Sequence, residues 1–314
     1  MNHMKKFIAK LVLLSGIVGA IIISWCMWQR NDILTITNSI SLDARLYEMK
    51  NMETEHFDVV ALGSSMTLYQ LDGETFVEHL DEGESFYNFS AWGLQISDSR
   101  KLLEYIVETY TPHSVVIFGN IADFDEAAES IIDMKAVRNY LDDNAWNDIE
   151  NILDFGYPNN RETKKMHMDR RYAPTELNED LRYDKWGGVL LDVYGKDILK
   201  ARYDAYYTGE PRELQYDELA YIAKYLAERN IKLYYVQTPC REHYLSEKQG
   251  AYDLFVQHCD TCRDIIESNG GYYQSFFDYN EYTDAYFADC IHLNKDGALK
   301  LTEEFCKWYD EINR

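Results

Sequence analysis

Phe57-Asp-Val-Val-Ala-Leu-Gly-Ser-Ser65 is an apolar run that ends in three small residues. A strand that runs into such a turn exposes a serine hydroxyl at the carboxyl edge of a sheet. Four more runs are rich in β-branched or aromatic residues: Ser85–Phe89, Ser114–Gly119, Ile231–Gln237 and Tyr272–Phe277. Helical patterns separate them. Ser97–Tyr110 places Leu102, Leu103, Ile106 and Val107 on one face, and Leu214–Arg229 places Leu219, Ile222, Ala223 and Leu226. Lys295–Asn313 carries the stripe Ala298, Leu301, Phe305 and Trp308. Strands alternating with helices predict an α/β fold with a five-stranded parallel sheet covered on both faces. Ligands of such sheets bind beyond the carboxyl ends of the strands, and Gly63, Gly93, Asn120 and His292 all fall at strand ends or in connecting loops.

The second telling stretch is Asp289-Cys-Ile-His-Leu-Asn-Lys-Asp-Gly297. A carboxylate three places before a histidine can accept a hydrogen bond from one ring nitrogen, which frees the other to act as a base. With Ser65 as nucleophile, the two segments suggest serine-dependent acyl chemistry. His243, in Pro239-Cys-Arg-Glu-His243, follows another strand end and is an outside candidate for the same site.

The chain has 314 residues and a formal net charge of −23. That balance speaks against nucleic acid, whose phosphates require a basic surface. Residues 1–10 form a basic tail with Lys5, Lys6 and Lys10, and residues 11–28 carry no charge. Eighteen helical residues span roughly 27 Å, close to the hydrocarbon thickness of a bilayer. Trp25 and Trp28 stand at the far end, where indoles favour the interface. Lysines before the span predict a cytoplasmic N-terminus and an outward-facing body at the cell membrane. A cleaved signal peptide needs a small-x-small site, and Ser24-Trp25-Cys26-Met27-Trp28 is bulky. Trp25 is likewise too large to precede a lipoprotein cysteine at Cys26.

Residues 29–56 read as a polar stalk, in part helical, and residues 57–314 as the body. The interval of about 124–211 is too long for one crossover and reads as an insertion, with helices at about Phe124–Leu141 and Ala145–Leu153. Lys164-Lys-Met-His-Met-Asp-Arg-Arg171 is a basic cluster in an acidic protein, suited to an anionic substrate, to headgroups or simply to solvent. Asp184-Lys-Trp186-Gly-Gly188 reads either as a mobile lid tip or as a turn packed by its tryptophan. Cys259-Asp-Thr-Cys262 has a metal or redox spacing, but it falls in the helical stretch Tyr252–Ser268 and no second such pair exists, so buried thiols are expected and neither a metal nor a cofactor.

Together these blocks resemble those of the SGNH (GDSL-type) hydrolases, in particular their membrane-anchored cell-envelope branch, which is DltD-like or similar to polysaccharide O-acyltransferases. The likeness runs over about Phe57 to Trp308, interrupted by the insertion. The resemblance implies a three-layer, flavodoxin-like α/β/α fold. The family's Gly-Asp-Ser block stands here as Gly63-Ser64-Ser65, which departs at Ser64. Tyr87-Asn-Phe-Ser-Ala-Trp-Gly93 matches the block that supplies a glycine amide, and Trp92 within it either stacks on substrate or fills the core. The Gly-x-Asn-Asp block is off by one: Asn120 directly follows Gly119, and Asp123 comes later. Asn120 therefore has two readings, an oxyanion amide or a cap on the next helix. Asp289 and His292 fit the Asp-x-x-His block.

What the resemblance implies is a catalytic set of Ser65, His292 and Asp289 and an oxyanion site formed by Ser65, Gly93 and Asn120. Water as acceptor gives an esterase, and a glycan or teichoic acid hydroxyl gives an O-acyltransferase. Envelope polysaccharide or teichoic acid is the expected substrate. A transferase would also need a membrane partner that delivers the acyl group. The alternative is a catalytically silent module of the same fold that binds a polymer or tethers an acyltransferase, and the departures at Ser64 and Asn120 favour it. A cysteine-based redox or metal protein is a third reading.

Overall fold

A computed structural model describes residues 2–29, 37, 39–125, 132–142, 181, 183–194, 200–278 and 280–314. The basic cluster at 164–171 and the helix expected at 145–153 lie outside the described residues. The chain forms two compact units, one from residues 1–51 and 133–168, the other from residues 52–132 and 169–314.

In the first unit, the helix Asn2–Gln29 contains His3–Trp25, a stretch long and apolar enough to cross a membrane and not buried within the protein. The helix thus begins within the basic tail, earlier than Leu11. A second helix, Ile40–Lys50, starts at Ser39, whose hydroxyl accepts from the Leu42 amide. It buries Leu42, Leu46 and Met49 and meets the helix Met134–Leu141. Lys50 Nζ donates to the Tyr140 carbonyl at 2.8 Å and sits 4.3 Å from the centre of that ring. Residues read as stalk and as insertion therefore pack together. The helix expected over Phe124–Leu141 is described only as a 3₁₀ turn at Ile121–Phe124 and the helix from Met134.

The second unit is built on a five-stranded parallel sheet. Its strands are β1 (Val59–Ala61), β2 (Phe86–Asn88), β3 (Ser114–Gly119), β4 (Lys232–Gln237) and β5 (Tyr272–Ser275), in the order β2-β1-β3-β4-β5. This doubly wound order places the switch point between β1 and β3, where loops leaving adjacent strands diverge and leave a crevice. The register Val59↔Phe86 and Val59↔Ser114 brings the ends of the three strands to one edge.

Alternate side chains point to opposite faces. On one face Val59, Ala61, Val116, Phe118, Tyr234 and Val236 pack with Leu301, Phe305 and Tyr309 of the C-terminal helix Lys295–Asn313 and with Phe76. The Phe305 ring lies 5.2 Å from Phe118 and 5.3 Å from Phe76. The other face is covered by the helices Ile96–Tyr110, Glu213–Ala227 and Ala251–Ser268, packed side by side. The fold is thus the layered α/β arrangement that the alternation predicts.

Trp186 settles into a packed turn. It joins the core cluster of the first face, a side chain at Gly73 would collide with it, and its carbonyl accepts from the Asn88 amide at 2.8 Å. Cys259 and Cys262 lie on the buried side of their helix with free thiols, and burial pushes Cys259 up to about 11. Among the described residues, no group of three His, Cys, Asp or Glu is arranged to hold a metal ion.

Candidate active site

β1 ends at Ala61, and the turn Leu62-Gly63-Ser64 feeds a six-residue helix, Ser65–Gln70. A Cβ on Gly63 would stand 2.3 Å from Thr67 Oγ1, so only glycine allows the helix to fold back this tightly on the strand. Ser64 caps the helix, its hydroxyl accepting from the Met66 amide at 3.1 Å. Ser65 is therefore the first helical residue, half-buried at the sheet's carboxyl edge.

Four bonds fix that short helix. Thr67 Oγ1 donates to the Phe118 carbonyl at 2.9 Å and accepts from its amide at 3.0 Å, which ties the helix to the end of β3. Asn88 Nδ2 donates to the Thr67 carbonyl at 3.0 Å from the end of β2. Gln70 Nε2 donates to the Ile291 carbonyl at 3.0 Å and so joins the serine helix directly to the histidine loop.

That loop is a tight turn. The Ala288 amide donates to the His292 carbonyl at 2.8 Å, and Phe287 pairs with Leu293 in an antiparallel bridge. Asp289 Oδ1 accepts from the amides of Ile291 (3.0 Å) and His292 (2.8 Å). Its Oδ2 bonds His292 Nδ1 at 2.8 Å, and His292 Nε2 lies 2.8 Å from Ser65 Oγ. Ser65, His292 and Asp289 thus form one continuous hydrogen-bonded chain. The Tyr69 ring stands edge-on to the imidazole at 5.5 Å. Burial raises the Asp289 carboxyl, but the His292 ring beside it and the hydrogen bonds it accepts outweigh that and hold it well below the usual carboxylate range. Asp289 is therefore an anion under its histidine.

Asn120 takes the capping role. Its Oδ1 accepts from the Ala122 amide at 3.4 Å, while Asp123 Oδ2 accepts from the Asn120 amide at 2.9 Å, which makes a capping box on the 3₁₀ turn. Asn120 Nδ2 reaches Thr238 Oγ1 at 3.4 Å. Gly93 follows β2 with φ +67°, exposed, with open space where a Cβ would sit. Gly93→Ala is therefore expected to cost about 1–2 kcal/mol from backbone strain alone, read as a lower urea midpoint at unchanged slope. A loss well beyond that range would mean that the loop has a tighter contact than this geometry contains. Trp92 beside it is half-buried and packs on the cluster of Leu68, Tyr69 and Leu191, 6.4 Å from the Tyr69 ring.

His243 stands apart from the triad. Its Nε2 bonds the Asp204 carbonyl at 2.9 Å, and its Nδ1 pairs with Glu247 at 3.2 Å.

Two further residues join the site, Arg202 with no sequence signal and Asp123 from the off-register third block. Arg202 Nη2 donates to Asp289 Oδ2 at 2.8 Å. Asp123 is buried against Ser64, and burial pushes its carboxyl up to about 7, against the lowering effect of the Ser64 hydroxyl, the Asn120 amide and the charge of His292. The departure at Ser64 has a physical reason here: a carboxylate at that position would face the Asp123 carboxyl, whereas a hydroxyl can bond it.

No family model and no curated protein matches this sequence. Among solved structures, the chain is similar to a protein from Bacteroides fragilis proposed to be an acylhydrolase, at 11% identity and TM-score 0.45, covering 85% of this chain and 95% of that one. It is also similar to a protein from Streptococcus pneumonia proposed to be a platelet activating factor, at 11% identity and TM-score 0.44, covering 93% of this chain and 98% of that one. Values this low carry no conclusion about the activity of this chain.

Proposed function

We propose that the chain is a membrane-anchored serine esterase or O-acyltransferase that acts on acyl esters of a cell-envelope polysaccharide or teichoic acid. The observation that supports it is the unbroken 2.8 Å chain from Ser65 Oγ through His292 to Asp289. Ser65 Oγ attacks the ester carbonyl while His292 Nε2 takes its proton. Asp289 holds the imidazole in the tautomer with Nδ1 protonated and stabilises the imidazolium. The amides of Ser65 and Gly93, with Asn120 as a third donor, receive the oxyanion. Collapse of the intermediate releases the alcohol, which takes the proton from His292 and leaves an acyl group on Ser65. Water or a sugar hydroxyl then attacks that ester by the same steps in reverse.

Substrate class follows from place. Residues 11–28, within the helix Asn2–Gln29, are the proposed anchor, with Lys5, Lys6 and Lys10 on the cytoplasmic side and the body outside, within reach of envelope polymers. Acyl-CoA is absent there, so transfer requires a membrane partner that supplies the acyl group.

The full chain in detergent is expected to release p-nitrophenol from an acetyl ester and to be labelled by a serine-reactive phosphonate at Ser65. Mass spectrometry of the labelled peptide checks the site. Absence of both label and turnover would leave a polymer-binding module without catalysis.

A further inference from the structure

Asp289 holds more than the usual partners of a triad carboxylate. Four donors reach it: the amides of Ile291 and His292 on Oδ1, and His292 Nδ1 and Arg202 Nη2 on Oδ2, the last two both at 2.8 Å. A carboxylate offers about four lone-pair positions, so this one is saturated. The imidazole and the guanidinium share a single oxygen. The carboxylate is almost wholly buried, whereas the Arg202 side chain is 37% exposed.

Arg202 is also held in place. It belongs to the short helix Lys200–Tyr203. The Arg241 guanidinium stacks over the neighbouring Tyr203 ring at 3.4 Å and donates to the Tyr203 carbonyl. The same guanidinium grips Asp284 with two bonds of 2.9 Å, and the Arg241 amide donates to the Cys290 carbonyl at 3.1 Å. One buried arginine thus clamps the helix that carries Arg202 against the loop that carries Asp289.

We propose that Arg202 is a positioning residue for the reaction of Ser65, acting through Asp289: it fixes the carboxylate in the plane of the imidazole and shares the negative charge that would otherwise serve His292 alone. This rests on the esterase or acyltransferase reading of the triad. The charge sharing has a direction. With Arg202 in place, a guanidinium stands 2.8 Å from the oxygen that also bonds the imidazole, and its charge opposes a second positive charge on the ring. Removing the guanidinium takes that opposition away, so the acid limb of a reaction that uses His292 as its base moves to higher pH. The other titratable or charged groups around the pair are Asp123 from the loop after β3, Arg241 from the loop after β4, and Cys290 in the same turn. Of these, Cys290 also feels the Arg202 charge, which lowers its thiol against the larger effect of burial.

The test is the rate of phosphonate labelling of Ser65 against pH, in the full chain in detergent, for the wild type, Arg202→Met, Arg202→Gln and Arg202→Lys. The acid limb is expected to move to higher pH by about one unit in Arg202→Met and Arg202→Gln, and to return towards the wild-type position in Arg202→Lys. On the falling part of the limb that is roughly a tenfold lower rate, while the alkaline plateau changes little. A contribution that is only structural would lower the rate at every pH and leave the limb in place, and that result overturns the proposal. A limb that moves equally in Arg202→Lys also overturns it, because the charge would then not be the cause. A wild-type chain that takes no label at any pH overturns the triad reading itself, and this inference with it. Labelling of the wild type with an unmoved limb in Arg202→Met overturns the inference alone.

Discussion

Replacing Ser65 with alanine is expected to lower ester turnover by on the order of 10⁴- to 10⁶-fold. In the proposed mechanism the Ser65 hydroxyl is the group that forms the acyl bond, and its loss removes that step altogether. The protein itself should be little changed. The helix Ser65–Gln70 is capped by Ser64, and it is tied down by Thr67, Asn88 and Gln70. Ser65 contributes no bond to that frame beyond its contact with His292. The comparison with His292→Ala is informative. The two groups act as one unit, so the double variant should be scarcely slower than either single one. Steady-state turnover of an acetyl ester by the three variants, with matched urea unfolding curves, checks both points. A double variant slower by the product of the single losses would mean that the two residues act independently, and the proton path from Ser65 to His292 would be wrong.

His258→Gln is expected to change the pH dependence of stability by roughly 4–5 kcal/mol between pH 6.5 and pH 3. His258 is buried beneath Phe124 and bonds the Tyr216 hydroxyl at 2.9 Å through Nδ1. Burial lowers it to about 3. The unfolded chain takes up a proton near pH 6.5 and the folded chain does not until about pH 3, so the wild type loses stability on acidification across that window. Asp123 has the opposite sign. Burial pushes it up to about 7, so the folded form keeps a proton that the unfolded chain releases near pH 4, and stability falls as pH rises from about 4 to 7. From pH 4 to 6.5 the two contributions oppose each other. In His258→Gln the Asp123 contribution is no longer opposed by His258, so on acidification from pH 6.5 to 4 the variant should fare better than the wild type. Urea unfolding of both proteins between pH 3.5 and 7.5 reads the difference, in which every other carboxylate cancels. Parallel curves would mean that His258 titrates in the folded protein as it does in the unfolded chain.

The sheet was legible because buried parallel strands are apolar throughout and end abruptly. Ser114–Gly119 was placed to the residue, and Lys295–Asn313 likewise, because Asn294 supplies a side-chain cap for the Gly297 amide just where the apolar stripe begins. Strand ends were over-read where side chains pull the backbone from the ladder. Asp58 Oδ2 accepts from both the amide and the hydroxyl of Ser85, and neither residue is in its strand. The helix Ser65–Gln70 has too few turns for a period to show, and the cap at Ser64 is its one local sign. Asn120's two readings could not be separated in the sequence, since a cap and an oxyanion amide use the same side chain; its Oδ1 caps the Ala122 amide, while its Nδ2, 3.4 Å from Thr238 Oγ1, is the atom the proposed oxyanion role would use. Arg202 was beyond sequence reasoning altogether. It lies 87 residues from Asp289, in the part of the interval beyond its expected helices, and nothing about a single arginine marks its partner.

The C-terminal helix Lys295–Asn313 packs against the helices Ser65–Gln70 and Gly73–Val77, and Thr302 Oγ1 accepts from the Asp72 amide at 2.9 Å across 230 residues. Its Phe305 and Leu301 complete one face of the sheet, and the histidine turn precedes it by only three positions. A nascent polypeptide therefore emerges with its serine more than two hundred residues before its histidine, and one apolar face of the sheet stays open until residues 295–313 are made. Chains that stall or are clipped ahead of residue 295 would leave that face uncovered, so the proposed reaction would have to wait for the helix that closes the fold.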